Sequence, residues 1–254
     1  MLSQAKGATL VALLITAAPA GAALCGCGSG DSGANGSGSY SSGGGSGPTY
    51  AFITPGLNSV RTYSETIVDN SDNVINLSYT ETVTAVMADD SFTVLQEDPT
   101  QQSITVNGTT YSVTTDTVSV NNSGQEVGDS TDNGTCTYLP HGAGPDFPVQ
   151  VGMTWTLTYT VACTATAPFY YSQSGTVADI ESVTVPAGTY SAIKLQSTLT
   201  WTDTQGTTRT QTITNWRDVA TTVSVKQTID IAYSGTLPTH GYPVSRQILL
   251  ESES

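Results

Sequence analysis

The sequence predicts an all-β fold: an antiparallel, long-stranded sheet that curves or partly closes into a barrel, with a β-sandwich as the alternative. Three observations carry that reading. Apolar and polar residues alternate along several extended stretches, Thr, Ser and Val dominate the exported part, and no stretch of that part has helical periodicity.

The alternation is plainest between 153 and 163. Met153, Trp155, Leu157, Tyr159, Val161 and Cys163 share one face, against Thr154, Thr156, Thr158, Thr160 and Ala162. From 223 to 233, Val223, Val225, Gln227, Ile229, Ile231 and Tyr233 oppose Thr222, Ser224, Lys226, Thr228 and Asp230. Ile193, Leu195, Leu199 and Trp201 face away from Lys194, Gln196, Thr198 and Thr200, and Ile75, Leu77, Tyr79, Val83, Ala85 and Met87 repeat the pattern earlier. At roughly 3.3 Å per residue these strands reach roughly 35 Å, long enough that they must coil. Asn107-Gly108, Asn133-Gly134, Pro186-Ala187-Gly188 and Gln205-Gly206 are the turn signals between strands.

Ahead of the strands stands an export signal, residues 1–26. One positive side chain, Lys6, precedes an apolar run from Ala8 to about Ala18, too short and too weakly flanked to span a membrane. Leu24-Cys25-Gly26-Cys27 resembles the bacterial lipobox. Cys27 is the expected lipid acceptor, because Gly26 at −1 suits the peptidase pocket, whereas Cys25 would put Leu24 there. The competing reading is an ordinary signal cut in the Ala20–Ala23 cluster. Acyl chains, palmitate among them, at about 0.8 kcal/mol per buried methylene would make attachment to the membrane effectively permanent. Gly28, and not Asp, after the acceptor resembles the Gram-negative sorting pattern that implies the outer membrane, facing periplasm or cell surface. Residues 27–48, nearly all Gly and Ser past the acceptor, read as a flexible tether, and 49–254 as the β-rich globular domain.

With Lys6 removed, six basic residues face 21 acidic ones, a formal charge of −15. Phosphate backbones and anionic lipid surfaces, whose binding needs clustered Lys and Arg, would be repelled, and nucleic acid is excluded as a partner. Of the four cysteines, Cys136 and Cys163 lie in the exported domain, where oxidation is expected. A disulfide between them would close a loop of about 27 residues and contribute roughly 3 kcal/mol. A weak echo also suggests two halves, 49–145 and 146–254. Arg61–Thr66 lies 92 residues before Met153–Thr158, and at the same offset Tyr79–Thr82 matches Tyr171–Ser174.

Val183-Thr184-Val185-Pro186-Ala187-Gly188-Thr189-Tyr190 followed by Ile193-Lys194 resembles a motif of uncharacterised bacterial envelope lipoproteins, in which a strand ends in V-P-A-G-T-[FY] and a second begins with an aliphatic-basic pair. Gly152-Met153-Thr154-Trp155 upstream and Asn215-Trp216-Arg217 downstream extend the likeness over residues 147 to 233. Asp218-Val219-Ala220-Thr221 departs from the glycine-containing turn of that family. The resemblance implies a hairpin and no activity.

No catalytic residue, metal ligand or cofactor is expected. His141 and His240 sit in Pro/Gly-rich loops and read as surface residues, and no G-x-S-x-G elbow is present. Asp129–Gly134 opens like a calcium loop but has Pro140 where the bidentate acid belongs, and Asp69–Asn73 lacks the glycine, so both read as solvated turns. Trp155 and Trp201 share faces with Met, Leu and Ile and read as core. A membrane-spanning barrel is disfavoured by the tether and the absence of aromatic girdles. The functional expectation is a lipid-anchored envelope lipoprotein acting by binding or scaffolding, with a surface hydrolase and a carrier of an apolar ligand as alternatives. Ligand-binding residues and any protein partner stay unassigned.

Overall fold

The protein is described as a computed structural model over residues 38–41, 47–106, 109–131, 134–164, 168–203, 206–235, 237 and 241–254. The signal, Cys25, Cys27, most of the tether, His240, Asp132 and the turn residues Asn107, Gly108, Asn133 and Gln205 lie outside them. Every regular element among the described residues is a strand. The strands are β1 (Gly38–Ser41), β2 (Val60–Asp69), β3 (Val74–Val86), β4 (Phe92–Glu97), β5 (Ser103–Val106), β6 (Thr109–Ser112), β7 (Asp116–Val120) and β8 (Glu126–Thr131). They continue as β9 (Gly134–Leu139), β10 (Thr154–Cys163), β11 (Phe169–Val185), β12 (Gly188–Thr202), β13 (Thr208–Asp218), β14 (Ser224–Ser234) and β15 (Pro243–Glu253).

From β2 onward each strand of the wall pairs antiparallel with the next, β4 passing to β7 over a separate β5–β6 hairpin. β15 returns to pair with β2, and β9 pairs with β10. The expected curved sheet is therefore a barrel of twelve strands that closes fully, and the sandwich alternative does not form. Bulges such as those at Val83/Ala85, Val177/Asp179 and Trp216/Arg217 add the local twist that closure of long strands requires.

The alternation read from the sequence places the apolar rows inside. Trp155, Leu157, Tyr159 and Val161 are buried, as are Ile75, Leu77, Tyr79 and Val83. Their Thr and Ser neighbours form the outer wall, the reverse of the apolar-out pattern of membrane-spanning barrels. Both mouths are covered. At one, Tyr50 pairs with Val149, and Phe52 stacks on Phe92 at 5.9 Å and meets Phe147 edge-on at 6.5 Å. The β11–β12 hairpin joins the same end. Its turn closes at Val185 and Gly188 (φ 145°), the Ala187 N–H donates to the Leu250 carbonyl at 3.2 Å, and Val183 and Val185 join a core cluster with Tyr63, Val225, Ile248 and Leu250. At the other mouth, Tyr111 of β6 clusters with Ile67, Ile75 and Leu77, and Thr109 Oγ1 donates to the Gly241 carbonyl.

The expected disulfide forms. Cys136 and Cys163 are register partners across the β9–β10 seam, with Cα atoms 4.0 Å apart and an S–S distance of 2.05 Å. Along that seam β9 covers only Thr160–Cys163 of β10, and β1 covers Thr154–Leu157. Residues 38–41, expected in the tether, are thus a strand of the wall, with Ser39 Oγ 2.5 Å from Thr156 Oγ1. A bare strand edge is a template for unwanted pairing, and β1 removes it.

The echoing segments fall on β2 and β10, each the first strand of a set of six. Tyr63 faces Tyr79, whereas Trp155 faces Gly175 and not Tyr171. The 92-residue offset therefore does not carry through the hairpin.

Candidate functional site

The interior holds two lateral rows of different chemistry. Glu253, Arg61, Glu81, Gln96 and Asp116 are successive register partners from β15 through β2, β3 and β4 to β7. Arg61 lies 3.3 Å from Glu253 and 4.0 Å from Glu81. One step further in, Arg246 pairs with fully buried Glu65. Burial pushes the Glu81 and Glu126 carboxyls up, and burial with Asp129 alongside raises Asp116 from 3.8 to about 6. Gln96 is 1% exposed, and neither atom of its amide has a hydrogen-bond partner. In the opposite wall Tyr159 stacks on Tyr171 at 4.9 Å, Trp201 meets Tyr171 at a 39° tilt at 5.3 Å, and Arg209 lies 4.9 Å over Trp201 and 5.0 Å over Tyr233.

His141 is buried, at 8% exposure, and not on the surface as its loop sequence suggests. The loop after β9 folds in over β8, so that Gly142 N–H donates to the Glu126 carbonyl. Nδ1 is 2.8 Å from the Gly142 carbonyl, which can only accept, so Nδ1 holds the proton. Nε2 lies 3.2 Å from the Gln125 amide nitrogen and 3.4 Å from Asp146 Oδ1. Its partners among the described residues are a carbonyl, an amide and a carboxylate. None is a hydroxyl or thiol, so no Ser–His or Cys–His pair forms at His141 among the described residues.

The leading acids of the two calcium-like segments are not solvated as expected: Asp69 and Asp129 are buried, and Asp129 belongs to β8 and not to a turn. Asp69 Oδ1 accepts from the Ser71 and Asn73 N–H groups at 2.8 and 2.9 Å. Asp129 points inward and accepts from the Tyr138 hydroxyl at 2.5 Å. Among the described residues no three His, Cys, Asp or Glu side chains are placed to hold a metal ion.

The open chemistry lies outside, on β10 to β14. A groove of about 730 Å³ is lined by Ser39 of β1 and by Thr154, Thr156, Ser174, Thr176 and Thr198. Further along the same outward rows, Lys194, Trp216, Lys226 and Leu249 are register partners across four strands. The Lys194 and Lys226 ammonium groups lie 5.5 and 4.9 Å from the centre of the Trp216 ring. Glu181 accepts from the indole N–H and from Lys194 Nζ at 3.3 Å, and these bonds hold its carboxyl below the usual range. Trp155 and Trp201, in contrast, are core residues, as expected. The sequence shows Lys194, Trp216 and Lys226 as unrelated positions, because cross-strand register is not written in local pattern. The one available signal is that two of the three lysines of the chain occupy strands next to a tryptophan-bearing one.

No protein-family model matches the chain, and no curated protein matches it. Two solved structures are similar in outline. One, from Bacteroides fragilis, is described as an exported protein with a YmcC-like fold; it is 12% identical with a TM-score of 0.47, over 82% of this chain and 100% of its own. The other, from Parabacteroides distasonis, is described as a lipoprotein; it is 12% identical with a TM-score of 0.42, over 81% of this chain and 99% of its own. Likeness at this level concerns the course of the strands and assigns no activity to this chain.

Proposed function

We propose that the chain is an envelope lipoprotein, anchored by lipid on Cys27 to the outer membrane of a Gram-negative cell, that works by binding through the outside of a closed barrel. The observation that carries the binding half is the contrast between the two surfaces. The inner one is consumed by the protein's own ion pairs, stacked rings and covered mouths, while the outer one presents the hydroxyl-lined groove beside β1. The anchor half rests on the Leu24-Cys25-Gly26-Cys27 sequence.

Two measurements test it. Cys27→Ala releases the protein from the membrane fraction; continued attachment sinks the anchor. The soluble form is purified from residue 38 onward, so that β1 is kept, and its co-purifying molecules are identified by mass spectrometry. Material held on the outer groove is lost when Thr156 and Thr176 are changed to Val. A lipid retained by that variant inside the barrel returns the carrier reading.

A further inference from the structure

We infer that the outer face of β10 to β14 is turned toward the membrane that carries the anchor, with Trp216 and its two lysines seated among lipid headgroups. This rests on the lipid-anchor reading above.

Three observations converge on that face. The first is the distribution of positive charge. In a mature chain of 21 acidic residues, Arg61, Arg217 and Arg246 are buried and Arg209 is stacked between Trp201 and Tyr233. Lys194 and Lys226 are the two cations on the outer wall, and both stand against Trp216. Glu181 and Asp179 balance them locally, so this row is neutral where the rest of the molecule is strongly negative. A negatively charged headgroup layer therefore repels the barrel least here.

The second is composition. No acidic residue occurs from Phe147 to Ala178 or from Ser182 to Thr202, which together supply β10, most of β11 and β12. The β10–β12 wall beside the groove is hydroxyl-rich, and exposed Asp230 of β14, register partner of Thr212, is the carboxylate nearest to it on this face. Indole with flanking lysines is the side-chain combination that suits a membrane–water boundary: the ring lies at headgroup depth and each ammonium swings on its apolar stem to a phosphate. Leu249 continues the row as an apolar neighbour; it and Trp216 are half-buried against the cluster of Val183, Val185 and Val225, so only the outer edge of the indole is open to headgroups.

The third is reach. Ten residues separate Cys27 from Gly38, where the chain joins the wall on β10. Even fully extended they span at most about 35 Å. β13 lies three strand spacings from β10, about 14 Å at about 4.8 Å each. The Trp216 row thus sits within the radius that the anchor allows, and its rows continue directly into the groove beside β1. The face that β1 ties down is the face that the lipid draws to the bilayer.

The test uses the lipidated mature chain in vesicles of phosphatidylethanolamine and phosphatidylglycerol, with lipids brominated close to the headgroup. Trp155 and Trp201 are buried, so the expected quenching of tryptophan emission belongs to Trp216 and disappears in Trp216→Phe. Lys194→Gln combined with Lys226→Gln, which keeps the indole, lowers the quenched fraction about twofold or more. Vesicles that float with the protein but leave its emission unquenched, or quenching unchanged in Trp216→Phe, overturn the inference and leave the anchor standing. Failure of the Cys27 chain to float removes the anchor and this inference with it. A Trp216 emission shift with a soluble polyuronate, without quenching in vesicles, overturns it in favour of an anionic glycan.

Discussion

The two sets of six strands close one barrel with opposite chemistry. Residues 49–145 carry twelve acidic residues against Arg61 alone; residues 146–254 carry eight against five basic ones. The first set has short strands, five or six residues in β4, β7, β8 and β9, whereas those of the second run from 10 to 17. Each puts a lateral row into the interior. Arg61, Glu81, Gln96 and Asp116 must each find a specific partner, and the Gln96 amide finds none. Tyr159, Tyr171 and Trp201 are satisfied by whichever ring stands next to them. Charge inside a barrel is tolerated pair by pair, while stacking propagates along the register without individual matching. The first set therefore concentrates the liabilities of the fold, and the second supplies its stiff wall and open outer face.

The sharpest way to break the first set is Glu65→Gln, which leaves Arg246 charged and buried without its carboxylate. Urea unfolding should show a loss of about 3–5 kcal/mol; a loss below about 1 kcal/mol would mean that the pair is not desolvated. The seam between the sets is tested by changing Cys136 and Cys163 together to Ala. On the chain-entropy model this lowers stability by roughly 3 kcal/mol, and wild type measured with reductant should match the variant. Peptide mapping that found both thiols free in the exported protein would end the claim.

In the second set, Gly175 lies under Trp155, and a Cβ there would overlap the indole. Gly175→Ala should cost about 1–3 kcal/mol by overpacking, with a shift in the near-ultraviolet signal of the buried tryptophan. The smallest effect returns to the acidic row. Burial, then Asp129, raises Asp116 from 3.8 to about 6, so folding favours its protonated form. Its contribution is fully present below about pH 4 and is lost as pH rises toward 6. Asp116→Asn should then be more stable than wild type at pH 7, by about 1 kcal/mol or less because the carboxylate is partly solvated, and should flatten the stability profile between pH 4 and 6. An unchanged profile would show that Asp116 ionises freely in the folded state.

The inward faces of β10, β12 and β14, and of β3 as far as Val83, were legible residue by residue, because one wet and one dry face impose a period of two whatever the partners. Past the bulge at Val83/Ala85 the reading fails, and Met87, expected inside, is exposed. The hairpin at Pro186-Ala187-Gly188 was equally local, and Trp155 and Trp201 declared themselves core by the company they keep. His141 misled because loop composition speaks for the backbone and not for a loop that folds inward. β1 was hidden because a Gly/Ser run has no face to bury, and pairs only when β10 offers an edge that β9 leaves bare.

What the sequence determined by itself is the strand period, most of the residues that face inward and the acidic bias toward the first half. These follow from side-chain identity and near-neighbour pattern alone. Closure, the Cys136–Cys163 bond, the buried row ending in Asp116 and the outer row of Lys194, Trp216 and Lys226 were decided by tertiary structure. Each depends on register between strands, which is fixed by packing all twelve at once and has no signature within any one of them.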